Sequence, residues 1–366
     1  ALPLTRFNPD GSVDNTFFAD NDPNGSGTGI YYDGQGWPEV HALGLLSDGK
    51  IVAAGVLQGV RTDMSGDPGT FLQSNSIARF NADGTLDTTF QTAGTTPWPV
   101  GGLNYIEELT IQPDDKIIAV GGFGGFRDGP SAPTQPRYGI ARLNLNGSLD
   151  TTFQVNPAEF GVPGGASNVR GWIREASLDA SGGIFIVGAF EWGPSYPSAG
   201  TANVFARLNP DGSRDISFAP VLPAGLTGFQ NVVVEPGGNI TVVANLPNNQ
   251  TWMARFQPNG SPDSSFSLDP ALNYFSARPL RIDAMGRYLV ATRSGTTPRD
   301  RLIRLNNDGS LDPSFNALAT YVNGPNGPGD GYFGTFDTAP SGKIYAGSAF
   351  DHVNGVNTVK VVAFEG

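Results

Sequence analysis

A twelve-residue phrase recurs six times along this chain. Its copies are Arg6–Phe17 (RFNPDGSVDNTF), Arg79–Phe90 (RFNADGTLDTTF), Arg142–Phe153 (RLNLNGSLDTTF), Arg207–Phe218 (RLNPDGSRDISF), Arg255–Phe266 (RFQPNGSPDSSF) and Arg304–Phe315 (RLNNDGSLDPSF). Each reads as the end of a short strand, an Asn/Asp-Gly turn and a second short strand, because Asn, Asp and Gly tolerate the positive φ of a tight hairpin. A repeat of this kind constrains architecture far more than chemistry. Each unit can bury its apolar faces only against its neighbours.

A second phrase lies between the copies: Ser47-Asp48-Gly49-Lys50-Ile51-Val52-Ala53-Ala54-Gly55, echoed at Asp114–Gly121, Ser181–Gly188, Gly237–Ala244, Met285–Ala291 and Ser341–Gly347. Each echo follows another apolar run: Val40–Leu46, Ile106–Gln112, Trp172–Leu178, Phe229–Val234, Pro279–Ile282 and Phe333–Phe336. The unit is therefore four strands, A to D. Strand C enters the arginine phrase and strand D closes it. Four antiparallel strands repeated six times predict an all-β chain, a six-bladed β-propeller occupying residues 1–366 as one domain. The anchors at 6, 79, 142, 207, 255 and 304 are unevenly spaced, so the strands keep their length while the connections vary. The chain opens with a C–D pair (Leu4–Phe17) and closes with an A–B–C set (Phe333–Phe364). Ring closure is expected through the N-terminal strand Val13–Phe17 joining the last blade, which would remove an exposed edge. Leu4–Phe7 is then surplus.

Composition fits this reading. Gly 50 and Pro 29 are high for 366 residues, but 39% of the chain is hydrophobic, so they punctuate turns rather than mark disorder. A net charge of -12 without any Lys/Arg run is a poor match to nucleic acid. The absence of cysteine removes disulfides, thiol catalysis and thiolate metal sites. No apolar segment approaches the roughly 20 residues of a membrane-spanning helix. The first residue is Ala1, as in a mature exported form or a fragment.

The Arg-Leu-Asn-x-Asp-Gly-Ser-Leu-Asp-x-x-Phe phrase, with Asp-Gly-Lys-Ile-x-x-x-Gly, resembles the bacterial delta-60 repeat, a β-propeller family of unknown function. Gly347–Gly355 (GSAFDHVNG) is similar to the hairpin such repeats place between strands B and C. The resemblance implies a propeller in an exported or surface-associated bacterial protein, and no catalytic residue. Gln257, Pro262 and Ala363 depart from the pattern, at positions of the motif Asn, Leu and Arg.

Several groups are candidates for chemistry. Asn8, Asp10, Ser12 and Asp14 alternate as oxygen donors, as in a calcium loop. However, Asn146 and Asn259 replace the second donor in other copies, which favours a hydrogen-bonded turn. The repeated pairs Arg79/Asp87, Arg142/Asp150, Arg207/Asp215 and Arg304/Asp312 are spaced to meet across a C–D hairpin, a structural fork rather than an anion site. The two histidines, His41 and His352, show no metal or triad spacing.

Length variation is confined to the D–A and B–C connections, so one face of the propeller is decorated. It carries Tyr31, Tyr32, Trp37, Trp98, Phe126, Trp192, Tyr196 and Tyr332, with Trp172 opening a strand A. Aromatics among Asn, Asp and Gly suit a glycan or a protein partner. Glu39, Glu107, Glu108, Glu159, Glu175, Glu191 and Asp33 stand outside the repeat and supply carboxyls for a hydrolase. The reading is an extracellular or cell-surface, non-enzymatic binding or structural module without cofactor. The alternatives are a carbohydrate-active hydrolase or lyase and a subunit of a larger assembly joined through open edge strands.

Overall fold

The computed structural model describes residues 4–10, 12–17, 39–57, 60–61, 71–72, 76–90, 94–96, 105–128, 133–164, 166, 168–193, 200–247, 250–270, 272, 280–291, 301–321, 329–330, 332–339, 341–349, 352–357 and 361–365. Among these, helix is confined to 3-10 turns, of which Pro157–Phe160 is capped by Asn156 and ended by Gly161 at φ 88. Everything else is strand, turn or irregular. The strands form several antiparallel sheets, none of them closed on itself.

Each repeat supplies an antiparallel A–B–C core. The first is Glu39–Leu45, Ile51–Val56 and Ile77–Phe80; the second is Tyr105–Ile111, Ile117–Phe123 and Ile140–Leu143. The third has Arg170–Leu178, Ile184–Trp192 and Gly200–Leu208; the fourth Gly228–Val234, Ile240–Asn245 and Thr251–Phe256. Leu280–Ile282, Tyr288–Ala291 and Arg301–Leu305 make the fifth, and Tyr332–Thr338, Ile344–Ala349 and Val361–Phe364 the sixth. The strand B runs are continuous apolar sequences because both faces are covered: Val52, Ile118, Phe185, Thr241 and Leu289 are all buried. The A–B turns close on glycines at positive φ, such as Gly49 (φ 83) and Gly182 (φ 83), where an L side chain is strained.

The chain divides into two compact units, Ala1–Val204 with Leu208–Arg214, and Phe205–Arg207 with Asp215–Gly366. In the first, Ala42 and Leu46 of one repeat pack with Ile106 and Leu109 of the next. Gly44 is small because Ile111 fills the place of its Cβ. A smaller cluster gathers Leu4, Phe17, Ala53, Leu57, Ala78 and Phe80. In the second, Tyr288, Phe266, Leu280 and Leu305 form one core, and Phe315, Phe333, Phe336 and Ile344 another.

Strand D differs from expectation. In five copies it is a single bridge pair, Phe7–Val13, Phe80–Leu86, Leu143–Leu149, Leu208–Arg214 and Phe256–Pro262. Only Leu311–Tyr321 continues as a strand. The phrase bends the chain in the same way in the short and the long copies: the Asp87 carboxylate accepts from the Thr89 amide (2.9 Å) and hydroxyl (2.5 Å), and Asp312 accepts from those of Ser314 (2.9 and 2.6 Å). The last copy differs in resuming its pairing beyond the bend, with Asn316 opposite Ile303.

Three connections expected as loops carry small ladders. Gly94–Thr96, Gly125–Arg127 and Gln135–Pro136 form a three-stranded sheet, and Val60–Arg61 pairs with Phe71–Leu72. The Val-Asn-Gly hairpin is present as His352–Val353 with Val356–Asn357, turning at Asn354 (φ 49) and Gly355 (φ 79).

Candidate functional site

The arginine phrase pairs its own Arg and Asp, although Nη1 of Arg304 is buried without a hydrogen-bond partner. Arg79 Nε donates to Asp87 (2.8 Å), and its guanidinium lies 4.8 Å from the Phe90 ring centre, which accounts for the Phe that closes each copy. Arg142 does the same with Asp150 (2.8 Å) and Phe153, and Arg304 with Asp312 (2.8 Å) and Phe315. Arg207 pairs with Asp215. A second nitrogen then reaches the turn of the following copy: Arg6 to the Ala82 carbonyl (2.6 Å), Arg142 to Pro210 (2.5 Å), Arg255 to Asn307 (2.6 Å) and Arg79 to Leu145. The arginine is thus a rivet between successive repeats.

The aspartates are held ionised. The Ser314 hydroxyl and amide, with Arg304, bring Asp312 down to about 2 against the opposing effect of burial, and the Thr16 hydroxyl acts likewise on Asp14, also to about 2. For Asp87 and Asp150 burial is the largest influence and pushes upward. The hydrogen bonds from Thr89 and Lys50, and from Thr152 and Lys116, together with the neighbouring arginines, outweigh it and leave both carboxyls far below the usual range.

In the first copy, Asn8 Nδ2 donates to Ser12 Oγ (2.9 Å), and Asp10 Oδ1 accepts from the Ser12 amide and hydroxyl (2.9 and 2.7 Å). Among the described residues, no group of three or more His, Cys, Asp or Glu is placed to hold a metal ion.

A different feature sits on strand A. Its pairing with strand B slips by one residue at the same place in five repeats: between Val40 and Ala42, Ile106 and Glu108, Ile173 and Glu175, Phe229 and Asn231, and Phe333 and Thr335. In the fifth repeat the corresponding segment lies outside the described residues. Each slip is a β-bulge in which two residues of strand A oppose one of strand B, which re-aims a side chain. The extruded residues are His41, Glu107, Arg174, Gln230 and Gly334. The residue before each is always apolar; the extruded one changes chemistry every time.

The glycine that stands fifth in strand B of the first three repeats faces this bulge. A Cβ on Gly55 would stand 2.1 Å from the Glu39 carbonyl oxygen and 2.8 Å from the His41 nitrogen. On Gly121 it would meet the Tyr105 oxygen at 2.3 Å and the Glu107 nitrogen at 2.9 Å, and on Gly188 the Trp172 oxygen at 2.2 Å.

Within the first unit the extruded residues belong to two polar groups that share the strand Tyr105–Ile111. His41 Nε2 is 3.0 Å from Glu39 Oε2, and its ring meets Tyr105 edge-on at 5.4 Å. Two residues along from Tyr105, Glu107 accepts a hydrogen bond from Trp172 Nε1 (3.1 Å) and an ion pair from Arg174 (3.5 Å). Arg174 in turn lies 4.8 Å from the Trp172 ring centre. Glu107 is mostly buried (14% of its side chain exposed), whereas Arg174 and His41 each keep 26% open. The arrangement offers a fixed carboxylate, a guanidinium, an imidazole and two aromatic side chains, enough to hold a polar ligand.

Of the sequence candidates, His41 and Glu39 fall in the first of these groups, and Glu107 and Trp172 in the second. Trp172 is third in its strand, after Arg170, rather than first. Glu191 pairs with Arg170 (2.6 Å), Glu159 accepts the Arg214 amide (2.9 Å), and Glu175 is buried. Trp192 lies against Gly200, in the space a Cβ would need. Phe126, expected on the decorated face, is fully buried, because its ring joins the core cluster beside Phe123. Tyr31, Tyr32, Trp37, Trp98 and Tyr196 lie outside the described residues, as does the side chain of Tyr332. Sequence reading missed Tyr105 and Arg174. The signal that marks Arg174 is the strand B glycine, Gly188, whose partner strand must bulge.

Six stretches of the chain, residues 4–17, 69–90, 112–153, 180–218, 237–266 and 286–315, match the model of a family described as a domain of unknown function (DUF5122) β-propeller. The match supports a β-propeller domain and assigns no activity. No curated protein matches the chain by sequence. Solved structures similar to it include a gluconolactonase from Xanthomonas campestris (13% identity, TM-score 0.43, 83% of this chain and 80% of that one). Others are a glucose dehydrogenase (12%, TM-score 0.45, 86% and 95%) and a virginiamycin B lyase from Staphylococcus aureus (10%, TM-score 0.38, 86% and 93%). At these values they speak to neither activity nor substrate. No helix among the described residues is long and apolar enough to cross a membrane, which leaves β-barrel insertion unaddressed.

Proposed function

We propose that this chain is an exported, non-enzymatic binding module of the delta-60 type that holds carbohydrate at the bulged ends of its A strands. The observation that carries this reading is the pair of groups formed by His41, Tyr105, Glu107, Trp172 and Arg174. It is built where the repeat stops repeating and joins aromatic surface to oriented hydrogen-bonding groups, the mixture sugar recognition requires. A glycan array on purified protein, followed by calorimetry with Trp172→Ala, tests it. Binding that weakens at least tenfold in the variant supports the proposal; no glycan bound, or an indifferent variant, ends it.

The scaffold in this proposal is a propeller of six repeats, each an A–B–C sheet, with strand D reduced to a bridge pair in five copies of the arginine phrase. The enzymatic alternative has one specific observation in its favour, the His41–Glu39 contact at 3.0 Å, which orients an imidazole as a base. Product release from the array's best ligand, abolished by His41→Ala, would establish it in place of simple binding.

A further inference from the structure

We propose that the Glu107–Arg174 pair is a subsite for adjacent hydroxyls of a neutral sugar ring, and that the bulge position, rather than the loops, sets ligand choice. This rests on the carbohydrate-binding reading above and narrows it to a chemical class.

The first argument is the bulge itself. A bulge interrupts the regular ladder, so an accidental one would not return at one register in five strands. Three glycines are kept at the facing position, where any Cβ would strike backbone. The device is shared while the residue it presents is not. That is the pattern of a common mount carrying different side chains.

The second argument is geometry. Trp172 Nε1 and Arg174 approach different oxygens of Glu107, Oε2 at 3.1 Å and Oε1 at 3.5 Å, so the carboxylate cannot rotate freely. Trp172 carries Arg174 at 4.8 Å from its ring centre, which fixes the guanidinium beside the carboxylate. A carboxylate accepts and a guanidinium donates. Side by side, they match two neighbouring hydroxyls, one donating to Glu107 and one accepting from Arg174. The ring face of Trp172 turned toward Arg174 is occupied, so the tryptophan anchors the pair rather than stacking on the ligand. Apolar contact with the sugar falls to His41 and Tyr105.

The third argument is charge. The Glu107–Arg174 pair is neutral overall, and Glu39 adds a carboxylate that is 65% exposed. A uronic acid or a phosphorylated sugar would place its anion in this field, whereas a neutral ring meets no such penalty. The negative charge not cancelled within the pair is that of Glu39, and Glu107 adds to the discrimination against acidic sugars by holding the Arg174 charge compensated.

The test uses the whole chain with three probes of one configuration: a methyl pyranoside chosen from the array's best neutral ligand, its uronate counterpart and the analogue lacking one of two adjacent hydroxyls. Binding is followed by saturation-transfer NMR and calorimetry. The wild type is expected to bind the neutral probe at least tenfold tighter than either counterpart. Glu107→Gln and Arg174→Gln, both checked for native circular dichroism, should each lose at least tenfold for the neutral probe, and Glu107→Gln should narrow the gap to the uronate. Should Arg174→Gln fail to fold, Arg174→Lys keeps the charge but loses the planar fork and is expected to weaken binding as well. Neutral sugar bound equally by wild type and variants, or a wild-type preference for the uronate, overturns the subsite while leaving the carbohydrate reading standing. A wild type that binds none of the array's sugars overturns both.

Discussion

The arginine phrase predicts that one substitution will have different costs in different copies. Asp150 is 4% exposed and accepts four hydrogen bonds: from Arg142 Nε (2.8 Å), Lys116 Nζ (2.9 Å), the Thr152 amide (2.9 Å) and its hydroxyl (2.6 Å). Asp150→Ala removes all four acceptors. Lys116 can turn to water, since 32% of its side chain is already open. Arg142, with 8% of its side chain open, cannot, and it stays pinned by Pro210 and Phe153. Breaking a buried pair by deleting one partner costs about 3–5 kcal/mol, because the remaining charge is uncompensated. Asp14→Ala deletes the same phrase position, but its partner Arg6 is 41% exposed, so solvent replaces the lost partner and the effect is small. Replacing both buried partners, Arg142→Met with Asp150→Ala, removes the orphan charge and recovers much of the loss. Urea unfolding followed by circular dichroism and tryptophan fluorescence measures all three. If Asp14→Ala proves as costly as Asp150→Ala, or the double variant is less stable than Asp150→Ala alone, the rivet is not what the burial implies.

Three further outcomes follow from the same geometry. Because Asp312 and Asp14 sit near 2, and Asp87 and Asp150 lower still, against an unfolded value of about 3.9, these carboxylates stabilise the fold above that value and lose their contribution as pH falls through their folded values. The urea midpoint should therefore hold between about pH 7 and 5 and fall below about pH 4; a decline already complete at pH 5 would contradict the assignment. Gly121→Ala places a Cβ 2.3 Å from the Tyr105 carbonyl and should cost about 1–3 kcal/mol of stability in thermal unfolding, whereas Gly237→Ala, with no atom within 4 Å, should be close to neutral. Burial, reinforced by the hydrogen bond to Glu235 (2.6 Å), lifts Tyr288 to about 12, so Tyr288→Phe should leave the phenolate absorbance unchanged in an ultraviolet titration up to about pH 11; a missing step near pH 10 would show that the network is open to solvent.

What could be read from the sequence depended on whether a residue's partner was local. The hairpin turns, the strand B runs and the Arg–Asp spacing were legible because each interaction closes within about ten residues. Arg79 meets Asp87 eight positions on, and Asn354-Gly355 turns a hairpin on its own. The rivets were not legible, because Arg142 reaches the Pro210 carbonyl, a backbone atom 68 residues away that leaves no trace in side-chain pattern. Strand D was over-read for a related reason. Its alternation of apolar and polar residues suits a strand, but Asp87 draws the Thr89 amide into a turn; Asp312 does the same with Ser314, and only there does pairing resume beyond the bend.

The polar groups show why repetition hides a site. Comparing copies column by column isolates what the repeats share, and His41, Glu107 and Arg174 share nothing chemically. They share a backbone position, visible in sequence only through glycines on the opposite strand. In Gly55, Gly121 and Gly188 the absence of a side chain is the imprint of a partner's bulge. In the fourth repeat Ala244 faces the bulge instead, and Gln230 is extruded all the same, so the glycine is a sufficient sign of the device without being required by it. A fold built from identical mounts can therefore change what it binds by exchanging one residue per blade, with no alteration to the turns and rivets that hold the blades together.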